Sequence, residues 1–406
     1  MVNSRKARLL FCKAAIFVLL MVGWSGGQLL ADSSVQTDAA IQVGSVVQLE
    51  GGQEDNGSLT NGRATQAAEK DVYGQAAAEI RDIYEAQFDT LSDDKQRHFA
   101  QRIWRLTGDP EYLAINEVYG ERLMGELAEY DDIVSTRATL AERNQEMLDS
   151  YPVRTAKQRR RHAMFSERTE MMVPTRLLFG LAQASYHNLV GELPPERLAR
   201  LEAAVMAVDW EDFLTDPAVI SVYAAQVANN VAFLNQLGLI DLRSEVVQAF
   251  QQLYPNERIA TLSRAEYDNW LYGMTHIVIS YSHYYQRLVQ EQEVAWIIEA
   301  FQQQEARLLD FVKEDILAEV ALSLQLVGRE DLPLVDAIRD HLLEARDADV
   351  GIIPAVNGSL DIEGGEHRNV LAIMVLGWDG QLFSGPDLSQ RGAAVGQTET
   401  GAIPTP

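Results

Sequence analysis

From residue 67 onward, apolar and polar positions along this chain sort into two alternating kinds of segment. Stretches 176–190, 218–237, 276–285, 311–327 and 367–378 are apolar nearly all round, as helices enclosed on every side are. Between them, 195–208, 242–253, 293–309 and 332–345 each carry one charged face. No convincing period-2 strand pattern appears. Punctuation is regular, at Thr107-Gly108-Asp109-Pro110, Thr215-Asp216-Pro217 and Tyr254-Pro255-Asn256. Each sets a helix stop beside a cap or a first-turn proline. Enclosed and amphipathic segments alternating over four cycles predict helical hairpins in two layers. The expected fold is therefore all-α, an α/α toroid or an open, incomplete one. An irregular helical bundle or an α-solenoid gives a similar two-layer pattern.

The ends read differently. Arg5, Lys6, Arg8 and Lys13 precede an apolar run, 14–24, too short to span a bilayer comfortably, and a small-residue stretch follows. Residues 1–31 are expected to be a signal peptide, which implies a periplasmic or secreted protein with no stable membrane anchor after cleavage. Residues 32–66 read as a flexible leader, 67–380 as one helical domain and 381–406 as a disordered tail rich in Gly, Ala, Thr, Ser, Gln and Pro. The single cysteine, Cys12, falls inside the signal, so the mature domain holds together through its core and without disulfides. Of 34 basic residues four lie in the signal, and against 59 acidic ones the remainder gives a mature net charge of −29. Such a surface repels nucleic acid and anionic lipid. No phosphate loop, dinucleotide fingerprint, Gly-x-Ser-x-Gly elbow or CxxC pair is present.

Chemistry concentrates between Tyr272 and Glu319. His276, Ser280, His283 and Arg287 share one face of an otherwise apolar helix, and Asp315 with Glu319 share a face of another. Gln183 with His187 and Gln226 with Asn230 form comparable i, i+4 pairs, which read as interhelical hydrogen bonds. His276, Asp315, Glu319 and His367 are the candidate catalytic set. Imidazoles and carboxylates together also suit a divalent metal, so the same four are the candidate metal ligands. If His276 and His367 each open an inner helix, all four meet at one mouth, as a metal site or as a metal-free acid–base site with His276 and Glu319 as partners. In a solvent-filled funnel, alanine at His276 or Glu319 would cost less than about 1 kcal/mol. The cluster Arg154, Lys157, Arg159, Arg160, Arg161 and His162 reads as a solvated loop, or as a seat for an anionic partner such as an acidic sugar.

Two local stretches resemble known helical toroids. Leu106-Thr107-Gly108-Asp109-Pro110-Glu111-Tyr112-Leu113 is similar to the helix–loop–helix connection of α/α-toroid enzymes acting on glycans. Residues 342–376, a helix, a long Gly-containing loop and His367 opening an apolar helix, are similar to a repeat of the terpenoid-cyclase-like toroids. Lanthionine cyclases and protein prenyltransferases of that group bind zinc through cysteines, which the mature chain lacks, so their chemistry does not carry over. Residues 67–378 also resemble an uncharacterised family of exported bacterial proteins, through Tyr223-Ala224-Ala225-Gln226-Val227-Ala228-Asn229-Asn230, Tyr272-Gly273-Met274-Thr275-His276 and Glu366-His367. That resemblance implies an exported helical domain without a stated activity. Two functions stay open. One is a hydrolase or lyase acting on a glycan or peptide; the other is a non-catalytic periplasmic binding or scaffold protein. The sequence names neither substrate nor partner.

Overall fold

A computed structural model describes residues 59–389, and all regular structure among them is helical. In chain order the helices are α1 (Leu59–Ala86), α2 (Asp93–Thr107), α3 (Leu113–Ile133), α4 (Arg137–Asp149), α5 (Ala156–Ser166) and α6 (Met172–Tyr186). Then follow α7 (Pro195–Val205), α8 (Trp210–Thr215), α9 (Pro217–Gln236), α10 (Arg243–Leu253), α11 (Asn256–Ile259) and α12 (Arg264–Tyr281). The last are α13 (Glu291–Gln303), α14 (Glu305–Phe311), α15 (Glu314–Leu326), α16 (Pro333–Glu344) and α17 (Ile362–Leu376). The signal assigned to 1–31 and most of the leader lie outside the described residues. The leader's last part does not: α1 already runs from Leu59, since a nucleated helix extends at the small cost of one residue per added hydrogen bond.

The all-round apolar segments become α6, α9, α12, α15 and α17, and the one-faced segments become α7, α10, α13 with α14, and α16. Neighbour packing closes a circuit: α2 lies against α3, α3 against α6, then α9, α12, α15 and α17, which returns to α2. α7 backs α6, α10 backs α9, and α16 backs α15. α1 packs on α16 and α17, so the first and last helices are partners. By length and composition α9 could cross a bilayer, but its apolar surface is taken up by α12, α10 and α6. The tightest seam is α9 with α12. There Gly273 lets the backbones close up, and a Cβ at that position would fall 2.4 Å from the Phe250 ring and 3.0 Å from Ala224.

His276 does not open its helix. A capping box at Ser263, whose hydroxyl accepts from the Glu266 N–H while Glu266 Oε2 accepts from the Ser263 N–H at 3.0 Å, starts α12 well ahead of it. His276 is therefore carried into the middle of a buried helix. Past the C-terminus of α12 the backbone makes a left-handed turn, with His283, Tyr284 and Tyr285 at φ 55°, 56° and 66°. For side chains of this size each such residue costs about 1–2 kcal/mol. Ser282 offsets part of this, its hydroxyl accepting the Tyr285 N–H at 2.8 Å.

Residues 381–389, assigned by sequence to a disordered tail, are instead a strap seated across α2, α6 and the left-handed turn. Phe383 N–H donates to the Arg105 carbonyl at 2.9 Å and Leu388 N–H to the His187 carbonyl at 3.0 Å. Trp104 Nε1 donates to the Ser384 carbonyl at 3.0 Å, Gly385 N–H donates to Gln286 Oε1 at 3.1 Å, and Leu388 is fully buried. The composition is tail-like, but these are specific main-chain contacts with one buried leucine as anchor, which periodicity cannot detect.

Candidate active site

Consecutive members of the circuit send polar side chains to one place. α9 contributes Asn229, α12 Thr275 and His276, α15 Glu319, α17 Glu366 and His367, and α2 Lys95, His98 and Arg102. All but Lys95 are buried. On enclosed helices such residues must face one another, because leaving a polar group unpaired in a dry core costs about 1–3 kcal/mol.

Glu319 is the hub. Its Oε2 accepts from Thr275 Oγ1 at 2.7 Å, and its Oε1 lies 3.8 Å from His276 Nε2 and 3.7 Å from His367 Nε2. Those two separations exceed a hydrogen bond. His276 Nδ1 stands 3.0 Å from Asn229 Oδ1, and Asn229 Nδ2 donates to Gln226 Oε1 at 3.3 Å, which turns the amide oxygen toward the imidazole. Nδ1 therefore carries the proton, and Nε2 presents its lone pair toward Glu319. Beside this trio, Glu366 Oε1 lies 2.6 Å from His98 Nδ1, and its Oε2 lies 3.2 Å from Lys95 Nζ. The His98 and His367 rings are 5.2 Å apart. His98 Nε2 and both ring nitrogens of His367 are enclosed without a hydrogen-bond partner.

Burial dominates the electrostatics. It holds the His276 and His367 imidazoles down to about 4 and drives His98 well below its ordinary value. The Glu319 and Glu366 carboxyls are pushed up by the same desolvation, against the pull of neighbouring cations and hydrogen bonds. The imidazoles are thus neutral at neutral pH, beside carboxyls that hold their protons more tightly than usual.

Of the four residues singled out from sequence, His276, Glu319 and His367 converge. Asp315 does not join them by contact. It sits one turn earlier on α15 and accepts from the Tyr272 hydroxyl at 2.8 Å. Lys157 of α5 lies 5.1 Å over the Tyr272 ring and Arg161 lies 5.1 Å over Tyr223, so the basic cluster overlies this end. The metal assignment to His276, Asp315, Glu319 and His367 finds no ready cage: among the described residues no three His, Cys, Asp or Glu side chains are placed to hold a metal ion. The expectation of a solvent-filled mouth also fails, with His276 and Glu319 each only 2% exposed. Alanine at either position is accordingly expected to cost about 2–4 kcal/mol, an orphaned partner plus a cavity, rather than under 1. Denaturant titration of His276→Ala and Glu319→Ala measures this; near-wild-type midpoints would return the cluster to solvent.

Of the paired polar residues elsewhere, Gln226 is bonded within its own helix, to Asn229, and His187 reaches other segments. His187 Nδ1 lies 3.0 Å from the Pro386 carbonyl and its Nε2 lies 3.0 Å from Gln101 Nε2. His283 stacks on Tyr186, with centroids 6.1 Å apart. The sequence reading missed α2 altogether. His98, Arg102 and Arg105 recur at helical spacing in an acidic chain, a signal available in the sequence, but a charged helix face ordinarily faces water.

Comparison with known proteins adds a family and no activity. A family described as a domain of unknown function, DUF3541, matches residues 73–402. No curated protein and no solved structure matches the chain.

Proposed function

The chain belongs to the DUF3541 family, and within that family of unknown function we propose that it is an enzyme whose acid–base centre is His276, Glu319 and His367. The carrying observation is that these groups face one another at 3.7–3.8 Å without bonding, while both ring nitrogens of His367 have no partner. A cluster kept for stability alone would pair its members. General acid–base catalysis needs a neutral base beside an acid that holds its proton more tightly than usual; burial keeps the His276 imidazole neutral and pushes the Glu319 carboxyl up. His276 Nε2, with Nδ1 held by Asn229, receives a proton from a substrate or from an attacking water. Glu319, its carboxyl pushed up, returns one to the leaving group. Hydrolysis or elimination on a glycan or peptide suits this pair. Buried catalytic groups require the substrate to enter by local opening.

The basic n-region and short apolar run of residues 1–31 support an exported, periplasmic or secreted protein, and the net negative charge weighs against nucleic acid as a partner. A non-catalytic binding or scaffold role is the second reading, and the near-complete enclosure of His276 and Glu319 is what favours it.

The test is a screen of polysaccharides and peptides for released reducing ends, new amines or unsaturated products. Shape-keeping variants His276→Gln and Glu319→Gln are run beside the wild type. Turnover by the wild type that falls by about 10²–10⁴-fold in both variants is expected. Turnover undiminished in folded variants would remove the cluster from the reaction, and no turnover on any member of the panel would favour the scaffold.

A further inference from the structure

Positions 97, 101 and 105 lie on one stripe of α2, with 98 and 102 beside it, so Arg97, His98, Gln101, Arg102 and Arg105 share a single face. That face points inward. Arg102 is 6% exposed and Arg105 4%, yet neither forms an ion pair with a carboxylate among the described residues. Arg97 has company, donating to Gln101 Oε1 at 3.0 Å and lying 4.9 Å over the Tyr119 ring. Arg102 has a long contact, 3.5 Å, to the His98 carbonyl and the Tyr285 ring at 5.8 Å, with Glu319 and Glu366 close enough to feel its charge but not paired with it. Arg102 Nε and Arg105 Nη1 are enclosed with no hydrogen-bond partner. The nearby carboxylates are already engaged, Glu366 by Lys95 and His98, and Glu319 by Thr275.

Other unsatisfied groups border Arg102, which lies over Tyr285, the neighbour of Tyr284, and against His98, whose ring is 5.2 Å from that of His367. The Tyr284 hydroxyl, His98 Nε2 and both His367 nitrogens are enclosed and unpartnered. The left-handed turn at 283–285 puts Tyr284 and Tyr285 there at the cost of three strained residues, and the Tyr284 ring lies 6.2 Å from Tyr186. A buried unpaired cation costs several kcal/mol, and arginine is not expected to shed its proton to escape that cost. Two of them one turn apart, Arg102 bordered by these phenol and imidazole groups and Arg105 following it on the same face, make a built site for negative charge.

We propose that Arg102 and Arg105, with Tyr284 and His367, form an oxyanion-binding subsite beside Glu319, so that the ligand of this interior carries a carboxylate, sulfate or phosphate group. The binding stands on the α2 geometry alone; only its description as a substrate subsite rests on the acid–base reading. A substrate anion seated there sets the rest of the molecule against His276 and Glu319. The −25 net charge of the chain makes this interior basic patch the exception on which an anion can settle.

The test is thermal unfolding and calorimetric titration in a zwitterionic buffer with glucuronate, sulfate and inorganic phosphate, and with glucose as the neutral control. At least one of the three anions is expected to raise the wild-type Tm saturably, with glucose inert, and which of them does so identifies the oxyanion. Arg102→Met and Arg105→Met should each weaken that anion at least tenfold while leaving the ligand-free Tm unchanged or higher, since a buried unpaired charge is removed. Should either methionine variant fail to fold, Arg102→Lys, which keeps the charge on a shorter reach, is expected to bind about tenfold more weakly. General salt stabilisation by sulfate or phosphate is non-saturating and equal in all variants. Such a pattern, or no shift with any anion, overturns the proposal. Titration of Glu319→Gln separates the two readings. Retained anion binding there, with no turnover found for the wild type, leaves the subsite standing and removes the enzyme.

Discussion

Glu366→Ala is expected to lower the unfolding free energy by about 3–5 kcal/mol, as losing one partner of a buried charged pair does. The side chain has no solvent exposure and is held by His98 Nδ1 at 2.6 Å and Lys95 Nζ at 3.2 Å. Alanine strands the His98 imidazole in the core and leaves a half-buried ammonium without its counter-charge. It also opens a cavity between α2 and α17 that neighbouring backbone cannot fill. Against a typical domain stability of about 5–15 kcal/mol, this is a large fraction. Glu366→Gln, which keeps the shape and can still accept from one neighbour, should lose less than half as much. Urea titration of both variants gives the comparison. A loss under about 1 kcal/mol for alanine would mean that water already reaches His98.

Acid should unfold the protein early, and the sign follows from which state holds more protons. His187 is held down to about 3 and His276 and His367 to about 4, with His98 well below its ordinary value, in each case chiefly because burial disfavours the charged ring. Below about pH 6.5 the unfolded chain protonates these imidazoles and the folded chain does not. Stability is therefore fully present above that value and is lost as pH falls toward the folded pKa values. Glu319 and Glu366 act oppositely: raised in the fold, their contribution is present below the ordinary carboxyl range and is lost as pH rises through their folded values. His283 is likewise held down to about 4 and Asp268 pushed up, and five histidines against three carboxyls leave a net slope of the histidine sign. Each net proton is worth about 1.4 kcal/mol per pH unit. Urea midpoints measured from pH 7 down to 4.5 should fall steadily. A flat profile would show that the folded cluster accepts protons freely, and so that it is hydrated.

How much of this was legible in the sequence depended on whether a residue's environment can be inferred from its neighbours along the chain. For α9, α15 and α17 it can: residues apolar on every side leave a helix nowhere to lie but inside, so Glu319 and His367, polar exceptions on such helices, stood out. The position of His276 within α12 was misjudged because the exposed first turn, residues 264–266, looks like loop unless the Ser263–Glu266 capping box is used. His98, Arg102 and Arg105 were not legible as interior groups. A helix with one charged stripe looks the same whether the stripe faces water or a buried cluster, and only the closing of α17 onto α2 decides which. The pairing of Asp315 with Tyr272 is a long-range fact of the same kind, since the two are 43 residues apart and on different helices.

The return of α17 to α1 and α2 also governs the order in which the molecule can be assembled. Tyr73 bonds to Asp340, 267 residues later, while Ser92 and Lys95 reach Glu363 and Glu366 across 271 residues. As the chain is made from its N-terminus, α1 and α2 exist long before the surfaces that cover them. The inward arginines of α2 spend that interval exposed. Contacts between such distant segments must bear the entropy of closing a very long loop before they repay it, and they slow folding accordingly. Ring closure by α17 is then the natural last step, and chains stopped short of residue 362 should accumulate as open helical arrays with the α2 face still wet.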